Sequence, residues 1–309
     1  MTGLSELGVA CLTLVLEKIE VAMESIITLS SGHKIWTNTV GKGPGLPLIV
    51  VHGGPGAGHD YLEPLGELGV ERSVVFYDQL GCGRSDVPDN PLLWTIERFA
   101  DELQEVRDIL GLESCHILGQ SWGGWLALEY ILRKPVGLAS VVFSSTSASI
   151  PEFSSECEKL LKELPEPDRA ALKKYGDRGE FDHPEYLAAE ETFYKRHLCR
   201  LQEWPPCLQR SVANLHHTPV YEAINGPNEF TTIGNLRYWD RTADLHTIST
   251  PVMITCGRYD ELGPACAETL HSGIEGALMQ VFEESAHVAH LEETEKFLEC
   301  VSNFLKNHD

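Results

Sequence analysis

The sequence predicts an α/β protein in which a mostly parallel sheet is flanked by helices, and three features indicate this. Several apolar runs, among them "LPLIVVHGG" and "LASVVFSS", lack polar alternation, which is typical of strands buried on both faces of a sheet. Segments with helical periodicity separate these runs. Glycines follow two of the strands, as tight turns require. Strands that alternate with helices favour a parallel sheet.

The elements can be assigned in order along the chain. "SIITLSSGHKIWTNTV" predicts a hairpin around a Ser-Gly turn. Residues 96–110 place apolar side chains at helical spacing, and Gly111 is positioned to end that helix. "CHILGQSWGGWLALEYILRKP" predicts a strand, a glycine turn and a helix closed by Pro135. After residue 251 the pattern predicts two more strands, a helix between them and a last helix in "EETEKFLECVSNFLKN".

The alternation of predicted strands and helices is interrupted in the middle of the chain. From about Ile150 the sequence has amphipathic helical stretches with prolines between them and no buried strand before about Pro251. We therefore expect a helical cap at residues 150–236, inserted between a strand near 138–145 and a strand near 251–256. Residues 1–149 and 237–309 would form the core.

The charge balance excludes several classes of partner. The chain has 309 residues, and 24 Lys plus Arg face 46 Asp plus Glu, which gives a formal net charge of −22. This charge argues against binding to nucleic acid or to an anionic membrane surface. It favours a cationic ligand or an ordinary solvated acidic surface.

The cysteines and the N-terminal segment bear on location. The nine cysteines are scattered and form no C-x-x-C pair, so neither a zinc site nor a disulfide framework is expected, and reduced thiols of a cytoplasmic protein fit better. The apolar run in "LGVACLTLVLEKIE" has no basic residue before it, unlike a signal peptide, and is shorter than the ~20 residues of a membrane span. We expect an extra helix over residues 1–23, with Met23 as an alternative start.

One serine lies in a pattern that is typical of nucleophiles. "LGQSWGG" places Ser121 at the spacing G-x-S-x-G, between a predicted strand and a predicted helix. A sharp turn of this kind holds the hydroxyl at the edge of the sheet, at the N-terminus of a helix. The pentapeptide alone is common, and its strand-turn-helix context is what makes Ser121 the candidate.

A serine hydroxyl needs a base, and the base needs a carboxylate to orient it. In a sheet of this type the chain order is serine, acid, histidine, each after a strand. Asp260 follows one late strand and His287 follows the next, so we expect them to complete the triad. Glu261 and His290 are the alternatives, and His290 lies deeper in the following segment.

The reaction also needs donors for the oxyanion. "HGGPG", residues 52–56, follows a strand and offers the amide of Gly53 or Gly54, and the second donor would be the amide of Trp122. Chemistry of this kind requires no metal and no cofactor.

Together, several motifs in one order resemble those of the proline iminopeptidases, a branch of the α/β-hydrolase fold that includes tricorn-interacting aminopeptidases and amino-acid amidases. The resemblance extends from about Glu24 to the C-terminus. "HGGPG" with "YDQLGCGRS" is fairly specific to this branch, whereas G-x-S-x-G occurs across the fold. The other motifs are "LGQSWGGWLALEY", "NGPNEF", "GRYDEL" and "SAHVAH".

The resemblance implies a triad of Ser121, Asp260 and His287 beneath a helical cap. It also implies that Glu229, in "NGPNEF", and Glu261 bind the free amino group of the substrate. The loop "YDQLGCGRS" would have a supporting role, with Asp78 and Arg84 bracing it. Aromatic side chains of the cap could line a pocket: Phe193, Tyr194, Trp204, Tyr221, Phe230, Tyr238 and Trp239.

These expectations lead to one main hypothesis and two alternatives. The main hypothesis is a serine hydrolase that removes an N-terminal proline or another small apolar residue from short peptides or amino-acid amides. The first alternative is a small-molecule amidase, esterase or acyl-transfer enzyme of a biosynthetic pathway, which would use the same triad on a different substrate. The second alternative is a protein of the hydrolase fold that only binds a ligand. The oligomeric state does not follow from the sequence.

Overall fold

A computed structural model describes residues 22–215 and 217–309. Its centre is an eight-stranded sheet with the order β1-β2-β4-β3-β5-β6-β7-β8. The strands are β1 (Met23–Thr28), β2 (Lys34–Val40), β3 (Gly45–Val51), β4 (Arg72–Tyr77), β5 (Cys115–Gln120), β6 (Leu138–Ser144), β7 (Val252–Gly257) and β8 (Leu278–Phe282). The extra helix expected over residues 1–23 lies almost wholly outside the described residues, and Met23 begins β1.

Ten α-helices are found in the described part of the chain. They are α1 (Ile96–Ile109), α2 (Trp122–Ile131), α3 (Ile150–Lys162), α4 (Glu166–Gly176), α5 (Pro184–His197), α6 (Pro206–Leu215), α7 (Val220–Ile224), α8 (Gly263–Gly273), α9 (Ala289–Glu292) and α10 (Thr294–Lys306). A 3₁₀ segment also spans Asp60–Val70, where the sequence had predicted no element. None of the described helices is long and apolar enough to span a bilayer.

The sheet is parallel except at one edge. β1 pairs antiparallel with β2 and β2 with β4, which confirms the predicted hairpin, and all the remaining pairs are parallel. The residues of β5 and β7 are buried throughout, as their unbroken apolar runs predict. Because parallel strands end at the same edge, the loops after β3, β4, β5, β7 and β8 meet there, and ligands bind at this edge in open α/β sheets.

The cap follows β6 and precedes β7, as predicted. Helices α3 to α7 all lie in this interval. Where the chain returns to the sheet, Arg241 donates to both carboxylate oxygens of Glu129 on α2, and the Trp239 indole donates to the same carboxylate. This partly buried contact joins the segment just after the cap to the helix that follows Ser121. The eight described cysteines are all free.

Candidate active site

Ser121 lies in the turn between β5 and α2 with a backbone that few residues adopt. Its φ is 56° and its ψ is −124°, a strained conformation for a residue with a side chain. A Cβ on Gly119 would lie 2.2 Å from the carbonyl oxygen of Gly123, and one on Gly123 would lie 2.0 Å from that of Val51. The two glycines of the motif are therefore required for this turn to close.

Asp260 and His287 meet at the same edge of the sheet. Nδ1 of His287 lies 2.8 Å from Oδ1 of Asp260, and both side chains are buried. Because a carboxylate only accepts, the imidazole donates this hydrogen bond and leaves Nε2 to face the cavity. Ser121 and His287 line one cavity of about 60 Å³. The described residues form no hydrogen bond between the two side chains, and such bonds often tighten only when substrate binds.

The alternative residues occupy other positions. His290 is buried, and its Nε2 lies 3.1 Å from the carbonyl oxygen of Tyr61 and has no carboxylate partner among the described residues. Burial lowers the pKa of His290 to about 3, so this imidazole is neutral. Glu261 faces Nε2 of His287 and not Nδ1, at 3.9 Å from its Oε1. Only Asp260 is positioned to orient the imidazole through Nδ1.

The oxyanion donors need one revision. The amide of Gly53 donates to the hydroxyl of Tyr61 at 2.8 Å, so Gly53 does not have a free donor, contrary to one of the two options from the sequence. Gly54 lines the cavity, and its amide has no acceptor among the described residues. The amide of Trp122 is at the first turn of α2, where helices leave such groups free. The remaining pair is Gly54 and Trp122.

A chain of hydrogen bonds that could not be predicted from the sequence supports this site. The Tyr61 hydroxyl accepts from Gly53 and donates to Oε1 of Gln120, and the Gln120 amide donates to the carbonyl oxygen of His287 at 3.1 Å. Three loops are joined in this way: the glycine loop, the turn before Ser121 and the loop of the histidine. The only sequence signal was the position of Gln120 immediately before the serine.

The two glutamates implied by the resemblance lie beside the triad. Glu229 lines the cavity with Ser121 and accepts a hydrogen bond from the Tyr221 hydroxyl at 2.8 Å. Glu261 is fully buried, and neither of its carboxylate oxygens has a hydrogen-bond partner. Burial raises the pKa of both carboxyl groups, and the charge of Glu229 raises that of Glu261 further. Buried carboxyl groups without partners are costly, and a bound cation would relieve that cost.

The same carboxylates act on the histidine. Burial alone would lower the pKa of His287, but the negative charges of Asp260, Glu261 and Glu229 outweigh it and raise the pKa to about 9. In the absence of a ligand the imidazole therefore tends to keep its proton near neutral pH. A cation next to the carboxylates would have the opposite effect.

The Asp78 side chain braces the neighbouring loops. Arg84 takes part in this contact through its backbone amide and not through its side chain. Asp78 accepts from the backbone amides of His59 and Arg84, both at 2.9 Å, so one carboxylate joins the loops after β3 and β4. The Arg84 side chain points outward, where it pairs with Glu24 at 3.0 Å. Gln79 accepts from the indole of Trp122 and thereby contacts the helix after Ser121.

The cap aromatics divide into two groups. Tyr194, Trp204 and Tyr221 line a second cavity under the cap. The other side chains pack elsewhere: Phe193 is fully buried against Phe230, Trp239 contacts α2, and Tyr238 is 79% exposed. The first group therefore lines the cavity under the cap, whereas Phe230 lines a different cavity.

The fold and the positions of Ser121, Asp260 and His287 on it define a class of protein. Similarity to known protein families identifies that class. The family described as alpha/beta hydrolase fold matches residues 47–294. Since this is most of the chain, the protein belongs to the α/β-hydrolase fold family.

Particular relatives within that family narrow the assignment. A proline iminopeptidase of Saccharolobus solfataricus is 41% identical over 268 residues, which is 85% of this chain and 86% of the relative. One from Heyndrickxia coagulans is 38% identical over 92% of this chain and 99% of the relative. The crystal structure of a proline iminopeptidase of Mycobacterium smegmatis superimposes with a TM-score of 0.86, at 36% identity, and covers 93% of this chain and 98% of that one. The chain therefore belongs to the proline iminopeptidase branch.

Proposed function

We propose that the protein is a serine aminopeptidase that releases an N-terminal residue, proline or another small apolar residue, from short peptides and amino-acid amides. The observation that carries this proposal is the buried carboxyl of Glu261. Its two oxygens lack partners, and it lies 3.9 Å from Nε2 of His287, with Glu229 on the same cavity as Ser121. A protonated amine fits between such groups, and the relatives named proline iminopeptidases support this assignment.

The proposed reaction proceeds through an acyl-enzyme. Ser121 Oγ attacks the carbonyl carbon of the first residue while His287 Nε2 takes the hydroxyl proton. The amides of Gly54 and Trp122 stabilise the oxyanion, and the loss of one such donor typically costs ~3 kcal/mol. When the C–N bond breaks, His287 gives the proton to the leaving amine. Water then attacks the ester by the same route, which releases the amino acid and restores the serine.

The amine site explains why substrates need a free N-terminus. Each charge-assisted hydrogen bond from an ammonium to a carboxylate contributes about 1.5–3 kcal/mol. An acetylated substrate would bury Glu229 and Glu261 without a cation, which is a strong penalty. We further propose that residues 150–236 act as a cap that admits only short substrates. The free thiols are consistent with a cytoplasmic location.

The proposal is tested with prolyl, alanyl and N-acetylprolyl arylamides on the wild type, Ser121→Ala and Glu229→Gln. We expect the prolyl and alanyl compounds to be cleaved and the acetylated one to react at least about 100-fold more slowly, in line with two lost ionic hydrogen bonds. Ser121→Ala should abolish turnover, and Glu229→Gln should mainly raise KM for amine-bearing substrates. Equal turnover of the acetylated compound would refute the amine site, and an active Ser121→Ala variant would refute the mechanism.

A further inference from the structure

A second, larger cavity lies under the cap. It measures about 500 Å³ and is enclosed by α5, α6, α7 and the loop around Gly226. The cavity at the nucleophile is much smaller, at about 60 Å³. The larger space has no role in the proposed chemistry at the first residue.

The two cavities adjoin. Leu198, Val212, Leu215 and Glu229 line both of them. A substrate whose carbonyl lies at Ser121 would reach the larger cavity by passing these four side chains.

The proposed amine site sets the direction of the substrate. Glu261 is fully buried and is not among the residues that line either cavity, whereas Glu229 lines both. With the amine of the first residue held at these carboxyl groups and its carbonyl at Ser121, the chain beyond the scissile bond would extend past Val212 and Leu215 of α6. The first residue on that side of the bond is the second residue of the substrate.

The wall of the larger cavity has one sign of charge. The charged side chains among its described lining residues are Glu190, Glu222 and Glu229, and all are acidic. Tyr194, Trp204 and Tyr221 add aromatic faces. Carboxylates beside aromatic rings are well suited to a Lys or Arg side chain, whose stem packs on the rings while the head pairs with the acid.

None of the three carboxyl groups in this wall forms an ion pair with a Lys or Arg of the described chain, and Glu190 is the one of them that lies on α5. It is partly buried and accepts hydrogen bonds from the side chains of Asn228 and Tyr194. Burial and the nearby charge of Glu229 nevertheless raise the pKa of Glu190 to about 7. A cationic ligand at this position would restore its charge. Glu229 is assigned to the substrate amine in the proposed mechanism, which leaves Glu190 for a second cation.

We propose that this cavity is a subsite for the second residue of the substrate, and that Glu190 makes it favour lysine or arginine there. The inference rests on the proposed aminopeptidase function and adds a preference for the residue that follows the scissile bond.

The test measures proline release from Pro-Lys-NH₂, Pro-Leu-NH₂ and Pro-Glu-NH₂. In the wild type we expect kcat/KM for the lysine compound to exceed that for the leucine compound by roughly tenfold, the ratio that corresponds to about 1.4 kcal/mol. Glu190→Gln should bring this ratio close to one, and Glu190→Lys should make Pro-Glu-NH₂ the better substrate. Glu191→Gln, in the exposed neighbour that pairs with Lys195, is the matched control and should keep the wild-type ratio.

The outcomes separate this inference from the function on which it rests. Release of proline at similar rates from all three compounds by the wild type would overturn the second-residue subsite alone, whether or not the variants fold. An unchanged lysine-to-leucine ratio in the folded Glu190→Gln variant would also overturn the subsite. The same holds if Glu190→Gln changes only the preference between prolyl and alanyl substrates, since that preference concerns the first residue. No release from any of the three by the wild type would overturn the proposed function, and the subsite with it.

Discussion

Nε2 of His287 lies 3.9 Å from Oε1 of Glu261, so the nitrogen that accepts the serine proton in the proposed mechanism faces a buried carboxyl group. Asp260, Glu261 and Glu229 together hold the pKa of His287 at about 9 despite its burial. A substrate ammonium between Glu261 and Glu229 would offset their charge and lower that pKa. The group that identifies the substrate would then also release the base for catalysis.

Glu261→Gln should consequently have opposite effects on two reactions of the same serine. Cleavage of a prolyl arylamide should fall by about 10–100-fold in kcat/KM, because an ionic hydrogen bond to the amine is lost. Labelling of Ser121 by a fluorophosphonate, which has no amine, should become faster at pH 7. If the pKa of His287 falls by about one unit, the neutral fraction of the imidazole rises about tenfold.

The control for this pair of measurements is Glu268→Gln, an exposed carboxylate on α8. It should leave both rates as in the wild type. A Glu261→Gln variant in which the two rates fall together would show that Glu261 only supports the local structure.

The pH dependence of the wild type should differ between the two reactions. The base acts when His287 is neutral, so activity is lost as the pH falls through its pKa. Fluorophosphonate labelling reports the free enzyme and should rise with pH up to about 9, the pKa of His287. The kcat of a prolyl arylamide reports the complex, in which the ammonium is bound, and its apparent pKa should be lower. Two coincident profiles would contradict a charge effect of the amine.

The positions of the three residues of the proposed triad at one edge of the sheet could be predicted because each lies where a local pattern changes. Ser121 lies between glycines at the junction of a strand and a helix, and Asp260 and His287 each follow an apolar run. The parallel sheet brings such junctions to one edge, so their order along the chain is enough to place them together.

The supporting contacts could not be predicted in this way, since they depend on distant side chains. Tyr61 and Gln120 are separated by 59 positions, and Tyr61 lies in a 3₁₀ segment whose composition did not indicate a helix. The choice between Gly53 and Gly54 depends on that tyrosine. Glu190 occupies a polar position of an ordinary amphipathic helix, and only the folded structure shows that it lines a cavity together with residues of α6 and α7.

Tyr61→Phe tests the hydrogen bonds that join the three loops. Without the hydroxyl, the Gly53 amide and Oε1 of Gln120 both lose a buried partner, and the loop that carries Gly54 becomes less well fixed. We expect kcat for a prolyl arylamide to fall about tenfold or more with a small change in KM, because an unpaired buried group costs about 1–3 kcal/mol and positioning acts on the transition state. Tyr238→Phe, at a residue that is 79% exposed, should have no effect. A rise in KM with unchanged kcat would assign Tyr61 to substrate binding.

Asp309→Asn tests a contact that stabilises the sheet far from the active site. Asp309 accepts from the buried guanidinium of Arg72 at 2.8 Å and from the amide of Leu46 at 2.9 Å, and it lies 3.1 Å from Nε2 of His116. Its burial would raise its pKa, but these hydrogen bonds outweigh that effect and lower the pKa to about 2, from an ordinary value of 3.8. The ionised carboxylate therefore stabilises the fold above about pH 4, and this contribution is lost as the pH falls towards 2.

We expect the variant to lose about 1–2 kcal/mol in the free energy of unfolding at pH 7, measured by urea denaturation. The value is below the about 3–5 kcal/mol that breaking a buried ion pair costs, because the Asp309 side chain is 31% exposed and is partly screened by water. The difference between variant and wild type should shrink between about pH 4 and pH 2, since the wild-type carboxylate then becomes protonated. Asp177→Asn, which removes an exposed partner of Lys173, should change stability by less than about 0.5 kcal/mol and serves as the control. A difference for Asp309→Asn that stays constant over this pH range would show that the loss comes from packing and not from the charge.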